Sequence, residues 1–137
     1  LCERATEREA FGRPLYKLGG NIDIIADARM NIEQARLLTL KTSWVRDRTS
    51  PKEARIGIAM SETAVPNMAL KVIDDAIQMH GGIGVSQDTP LAEMWSGQRT
   101  LRLADGPDAV HRMVVGRNEI KQYLAEAGEV AATFRDG

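Results

Sequence analysis

Apolar residues recur at helical spacing along nearly the whole chain, and nowhere do they alternate long enough to suggest a strand. Five helical segments follow from the pattern. The first covers the residues to about Ala10 and is broken by Phe11-Gly12-Arg13-Pro14. After a loop through Gly19-Gly20, Asn21 is the expected N-cap of a long second helix. Ile25, Ala28, Ile32, Ala35 and Leu38 form one stripe on it; Met30, Leu37, Leu40 and Trp44 form another. Two stripes require burial on two sides, inside a bundle or against another subunit. Ser50-Pro51-Lys52-Glu53 opens the third helix with a capping box and proline at the first helical position. Its apolar positions include Ala54, Ile58, Val65, Met68, Val72, Ala76 and Met79, and it closes at Gly81-Gly82. Pro66 lies inside it and is expected to kink it, because proline removes a backbone donor. Residues 81–89 read as a glycine-rich loop, and Thr89-Pro90 starts a fourth helix of about three turns that ends at Ala104-Asp105-Gly106. Pro107 begins a fifth, which continues to about Ala127 and stops at Gly128. The prediction is an all-α fold: an up-and-down antiparallel four-helix bundle over residues 1–127, with 128–137 as a frayed tail.

Composition narrows the class. A chain of 137 residues is about one domain, and only 4% aromatic content against 43% hydrophobic suits helix packing better than a sheet sandwich. Eighteen basic and nineteen acidic residues leave a net charge of −1, with no basic patch to suggest nucleic acid. Cys2 is the single cysteine, which excludes an intrachain disulfide framework and a CxxC metal site and fits a reducing compartment. No apolar run approaches the ~18 residues of a membrane span, and no signal peptide is evident. The first residues already read as helix, without cap or initiator Met, as expected for the C-terminal part of something longer.

Four places offer chemistry beyond a bundle's needs. Arg8 lies one turn before Phe11-Gly12, and a guanidinium at a helix end suits a phosphate or pyrophosphate oxygen pair; equally, Arg8 is a surface cation and Phe11 staples the loop. Gln78-Met79-His80-Gly81-Gly82-Ile83-Gly84 holds three glycines in four residues. One is explained by a helix C-cap; bare backbone that lets a ligand approach explains the others. Asp105, before Gly106-Pro107, is a turn residue or a general base whose pKa an apolar pocket could raise. Asp108 fits a helix start, where a carboxylate complements the dipole. His80 and His111 have no partners at metal-ligand spacing and read as packing or surface residues.

In this order, Arg8-Glu9-Ala10-Phe11-Gly12-Arg13-Pro14-Leu15, Gln78-Met79-His80-Gly81-Gly82-Ile83-Gly84-Val85 and Leu103-Ala104-Asp105-Gly106 resemble the C-terminal helical domain of the acyl-CoA dehydrogenase family. Each segment is weak alone; the ordered set, spanning residue 1 to about 125, is specific. The resemblance implies an FAD-dependent enzyme oxidising the Cα–Cβ bond of an acyl-CoA thioester, with hydride passing to the flavin. It implies that Asp105 is the α-proton base and that Gly106 lies at the substrate. Arg8 and Phe11 would contact FAD across a subunit interface, and Gln78, Gly81 and Gly82 would touch the flavin nucleotide of a neighbouring subunit. It further implies a homo-oligomer, dimer or tetramer, an electron-transfer flavoprotein as partner, and a bacterial cytoplasmic or mitochondrial matrix location.

The chain departs from the family pattern at three points. Asp105 replaces the usual Glu, as in a branch of the family with the shorter carboxylate, Pro107 replaces the usual Thr, and Gly19 stands where many members have Gln. The N-terminal helical and middle β-domains of such enzymes are not in this sequence, so the isolated domain is expected to bind FAD poorly and not to turn over. Two other readings share the same residues: a helical oligomerisation or interaction module without catalysis, and an acyl-CoA oxidase-type flavoenzyme reoxidised by oxygen.

Overall fold

One long helix, α3 (Pro51–His80), is the axis on which the other α-helices pack. It follows α1 (Cys2–Glu7), the short strands β1 (Glu9–Ala10) and β2 (Arg13–Pro14), and α2 (Asn21–Arg48); α4 (Leu91–Leu101) and α5 (Asp108–Thr133) come after it. The computed structural model describes residues 1–133. α2, α4 and α5 all contact α3; α2 runs antiparallel to it, and α4 and α5 follow one another back along it, so the fold is the all-α bundle that the periodicity predicts.

Local chemistry sets the boundaries. Ser50 caps α3, its hydroxyl accepting from the Glu53 N–H at 3.3 Å, with Pro51 at the first helical position. A serine cap of this kind contributes about 1 kcal/mol. Gly81 ends the helix at φ 66, with its N–H bonded back to Ile77 and Gln78 carbonyls. α3 carries the buried Pro66 without interruption.

The structure corrects several expected boundaries. α1 ends at Glu7, because Glu9–Ala10 and Arg13–Pro14 pair as an antiparallel hairpin, where no strand was expected. Its two-residue turn is Phe11-Gly12, with φ of 50 and 71, the positive pair that a twisted two-residue hairpin needs. Two-residue strands are too short to leave an alternating pattern. Gly20, not Asn21, is the N-cap of α2; Asn21 is its first helical residue, and its Nδ2 donates to Leu15 O at 2.7 Å. Residues Gly81–Val85 form a 3₁₀ helix within the expected loop. α4 starts at Leu91 after Pro90, and α5 at Asp108 after Pro107. α5 runs through Gly128 to Thr133, since a lone glycine costs a helix only about 1 kcal/mol; the remainder of the expected tail, 134–137, lies outside the described residues.

The core is thin and built mostly from alanines, with Leu70, Ile73 and Met79 the larger buried apolar side chains. Ala28, Ala35 and Thr42 recur every seven residues as the buried positions of α2. Thr42 Oγ1 lies 3.2 Å from Ser61 Oγ, and a Cβ on Gly57 would come within 2.8 Å of it. Small residues thus let the α2 and α3 backbones approach closely. The second stripe of α2 is left uncovered: Met30, Leu37, Leu40 and Trp44 are all more than half exposed. Exposed apolar stripes of this kind are a common feature of interaction surfaces.

Candidate active site

The turn between α4 and α5 holds Asp105 at its apex. Arg102 is the C-cap of α4, and Leu103 N and Ala104 N both bond to Thr100 O, at 2.9 and 3.0 Å. The chain then passes through Asp105 at φ 56 and Gly106 at φ 134 into α5. Only glycine takes the second value readily. Aspartate is among the few side chains that tolerate the first, more readily than the longer glutamate. The local backbone therefore favours the shorter carboxylate. Asp105 is exposed, and it lines neither of the two apolar grooves of the bundle. One of these, about 470 Å³, runs between α2, α3 and α5 past Leu38, Met60 and Val115; the other, about 510 Å³, lies beside Ile25, Ile73 and Met94. Among the described residues, neither groove encloses the carboxylate.

Beneath the turn lies a polar cluster that periodicity does not reveal. Asp108 Oδ2 accepts from Arg102 Nε at 2.8 Å and from Asn67 Nδ2 at 3.1 Å, with Arg102 Nη2 also at 2.8 Å. The Asp108 side chain is 13% exposed and that of Arg102 32%. Burial alone would raise the Asp108 pKa. Hydrogen bonds from Asn67 and Arg102, with the charges of Arg102 and Arg112, outweigh it and hold the carboxyl below its ordinary range. A depressed folded pKa means the cluster stabilises the fold above the unfolded aspartate pKa of ~3.9 and loses that contribution as pH falls through the lower folded value. Asp108 Oδ1 and His111 Nε2, both in the first turn of α5, are buried without a partner. Asp108 is thus a helix-start residue, as its position predicts, and also a hub. Arg102 and Asp108 flank Asp-Gly-Pro in sequence, a signal that could have been read; Asn67, forty-one residues away, left none.

The other expected contact residues sit elsewhere. Arg8 is the exposed C-cap of α1, and Phe11 projects from the hairpin tip at 97% exposure. A hydrogen bond from Arg4 Nη2 to His80 O, 3.4 Å, joins α1 to the end of α3 where Gln78, Gly81 and Gly82 lie. The three glycines divide by cause. Gly81 is required by its φ of 66, and Gly84 by crowding, since a Cβ there would lie 2.6 Å from Ile77 O. Gly82 has neither reason: nothing lies within 4 Å of where its Cβ would be. Its backbone is open to an outside group. His80 Nδ1 is tied to Ala76 O at 2.7 Å, in the packing role expected of it. Among the described residues no cluster could hold a metal ion and no helix is long and apolar enough to cross a membrane.

The structure does not gather all these residues at one point. Asn67 marks the level of the Asp105 turn on α3, and Gly81 lies fourteen residues further along, roughly 21 Å at ~1.5 Å per residue.

The family described as the acyl-CoA dehydrogenase C-terminal domain matches residues 1–120. Acyl-CoA dehydrogenase family member 11 of Gallus gallus is 52% identical over 120 residues, which are 88% of this chain and 15% of that protein. A solved Mycobacterium abscessus protein, provisionally assigned as an acyl-CoA dehydrogenase, superposes with a TM-score of 0.87 at 52% identity, over 89% of this chain and 30% of its own. The FAD complex of PigA superposes at 0.79 and 26% identity, over 85% of this chain and 30% of its own. The chain therefore spans less than a third of the length of these relatives.

Proposed function

This chain belongs to the acyl-CoA dehydrogenase family, matching its C-terminal domain, and we infer from that premise that it serves in an FAD-dependent enzyme that introduces an α,β double bond into an acyl-CoA thioester. The observation that carries the reading is Asp105, an exposed carboxylate at the apex of a left-handed turn followed by Gly106. Asp105 takes the α-proton of the thioester; Gly106, without a side chain, leaves room beside it for the substrate. The flavin, when bound, supplies the acceptor for the β-hydrogen, which leaves as hydride. Both C–H bonds break, and the α C–H electron pair becomes the new π bond.

Arg8, Phe11, Gln78, Gly81 and Gly82 suit the cofactor. An exposed guanidinium, a fully projecting aromatic ring and an open glycine backbone are a donor set for a nucleotide with a pyrophosphate. Their distance from the Asp105 turn supports a division of labour: the carboxylate acts at one flavin while this second group reaches the nucleotide held by a neighbouring subunit. The uncovered stripe on α2 supports the same homo-oligomer, and an electron-transfer flavoprotein is the acceptor this reading assigns.

The test is anaerobic mixing of the full-length flavoprotein with saturated acyl-CoAs of graded length. Bleaching of the flavin band with formation of the 2-enoyl product is expected; no bleaching with any chain length would sink the reading. For the oligomer, Leu37→Glu with Leu40→Glu is expected to convert the full-length assembly to a smaller species by light scattering. An unchanged mass would remove this face from the interface.

A further inference from the structure

We propose that Arg102, Asp108 and Asn67 form a clamp that positions the Asp105 carboxylate, making them positioning residues for proton abstraction; this deepens the reading of Asp105 as base and rests on it. The turn between α4 and α5 has little backbone support of its own. Its hydrogen bonds to α4 stop at Ala104 N, and the next is Val110 N to Pro107 O at 2.8 Å. Between them sit two residues with φ of 56 and 134. Such conformations persist only where the surroundings over-determine them. The hydrogen-bonded tie across them is one carboxylate oxygen: Asp108 Oδ2 joins the last residue before the turn, Arg102, to the first residue after it, and Asn67 ties both to α3. Asn67 is itself anchored, its Nδ2 also donating to Thr63 O at 2.7 Å. Three helices meet at that oxygen.

Aspartate makes such a device necessary. With one methylene fewer than glutamate, its carboxylate has little freedom to search for the α-carbon, so its location is set by the backbone of the turn. A displacement of about 1 Å costs a proton transfer on the order of 100-fold. Charge-assisted bonds to a mostly buried Asp108 are strong enough to fix that backbone, and Arg102 is well suited because its fork makes two contacts with one oxygen. His111 closes the far side: its Nε2 lies 3.6 Å from the site of a Cβ on Gly106.

The experiment compares the parent full-length flavoprotein with Asp108→Asn, Arg102→Met, Arg102→Lys and the double variant Arg102→Met/Asp108→Asn. Flavin reduction at saturating acyl-CoA is expected to slow about 10- to 100-fold in Asp108→Asn and Arg102→Met. Acyl-CoA affinity and FAD content should stay within about twofold of the parent by the same reasoning. Arg102→Lys should recover part of the rate, and the double variant should be no slower than the worse single one. Independently of turnover, amide hydrogen exchange over residues 103–107 should accelerate in the slow variants. Reduction at the parent rate in a folded Arg102→Met protein overturns the proposal, even where Asp108→Asn fails to fold. So does a slow rate matched by equal losses of acyl-CoA and FAD binding. If Asp105→Asn reduces its flavin normally, the base reading falls by itself, whereas unchanged exchange at 103–107 defeats the clamp.

Discussion

Asp105→Asn in the full-length flavoprotein is expected to slow flavin reduction by acyl-CoA about 10²- to 10⁴-fold, the usual contribution of a positioned general base. The substitution keeps the shape of the side chain and the tolerance for φ 56, since asparagine accepts the left-handed region as readily as aspartate. Structure and substrate affinity should therefore survive, and the loss should fall on the chemical step. Stopped-flow bleaching at saturating acyl-CoA, together with exchange of the α-proton in heavy water, separates that step from binding. Reduction within a few-fold of the parent would dismiss Asp105 from the base role. Asp105→Glu is a sharper companion. It supplies the carboxylate that the family resemblance gives as usual but pushes it outward by about 1 Å and places a longer side chain in a left-handed position, so a loss on the order of 100-fold is expected. Full activity in that variant would mean that the turn adjusts to the side chain.

How far the sequence could be read depends on the scale of the feature. Helices of about thirty residues leave many turns of periodic signal, so α2 and α3 are legible from Ile25, Ala28 and Ile32 or from Ala54, Ile58 and Val65. The Ser50 cap is legible because its chemistry is local. The hairpin at Phe11-Gly12 was hidden by its length, two residues on each side. The end of the last helix is not legible, because one glycine is too weak a signal to stop twenty-six residues of helix. The candidate base was legible only through the ordered company of Arg8-x-x-Phe11-Gly12 and Gln78-x-x-Gly81-Gly82; alone, Asp-Gly is a common turn. The clamp was illegible in its most informative member. Asn67 meets Asp108 only because α3 and the start of α5 pack side by side, a tertiary fact with no local pattern.

Gly84→Ala and Gly82→Ala are expected to behave as opposites, although the residues are two apart in one 3₁₀ segment. At Gly84, which is buried, an added Cβ would lie 2.6 Å from Ile77 O and 3.0 Å from both Ile77 Cα and His80 Cβ. Two of those atoms are helical backbone and cannot swing aside. The end of α3 or the 3₁₀ segment must move, at a cost of about 1–3 kcal/mol, a large share of a typical domain's ~5–15 kcal/mol. A lower thermal midpoint of the full-length flavoprotein, measured with FAD saturating, checks this. Gly82→Ala meets nothing within 4 Å and requires no left-handed φ, so its stability should change by no more than about 0.5 kcal/mol. If its bare backbone serves the nucleotide of a neighbouring subunit, that methyl group instead intrudes on the cofactor, and FAD affinity should fall while the apoprotein melts as before. Equal melting of both variants would show that the segment relaxes freely. Unchanged FAD affinity in Gly82→Ala would remove Gly82 from the cofactor contacts. The pair thus separates a glycine kept for packing from one kept for a ligand, a distinction that three glycines in a row of four cannot make by themselves.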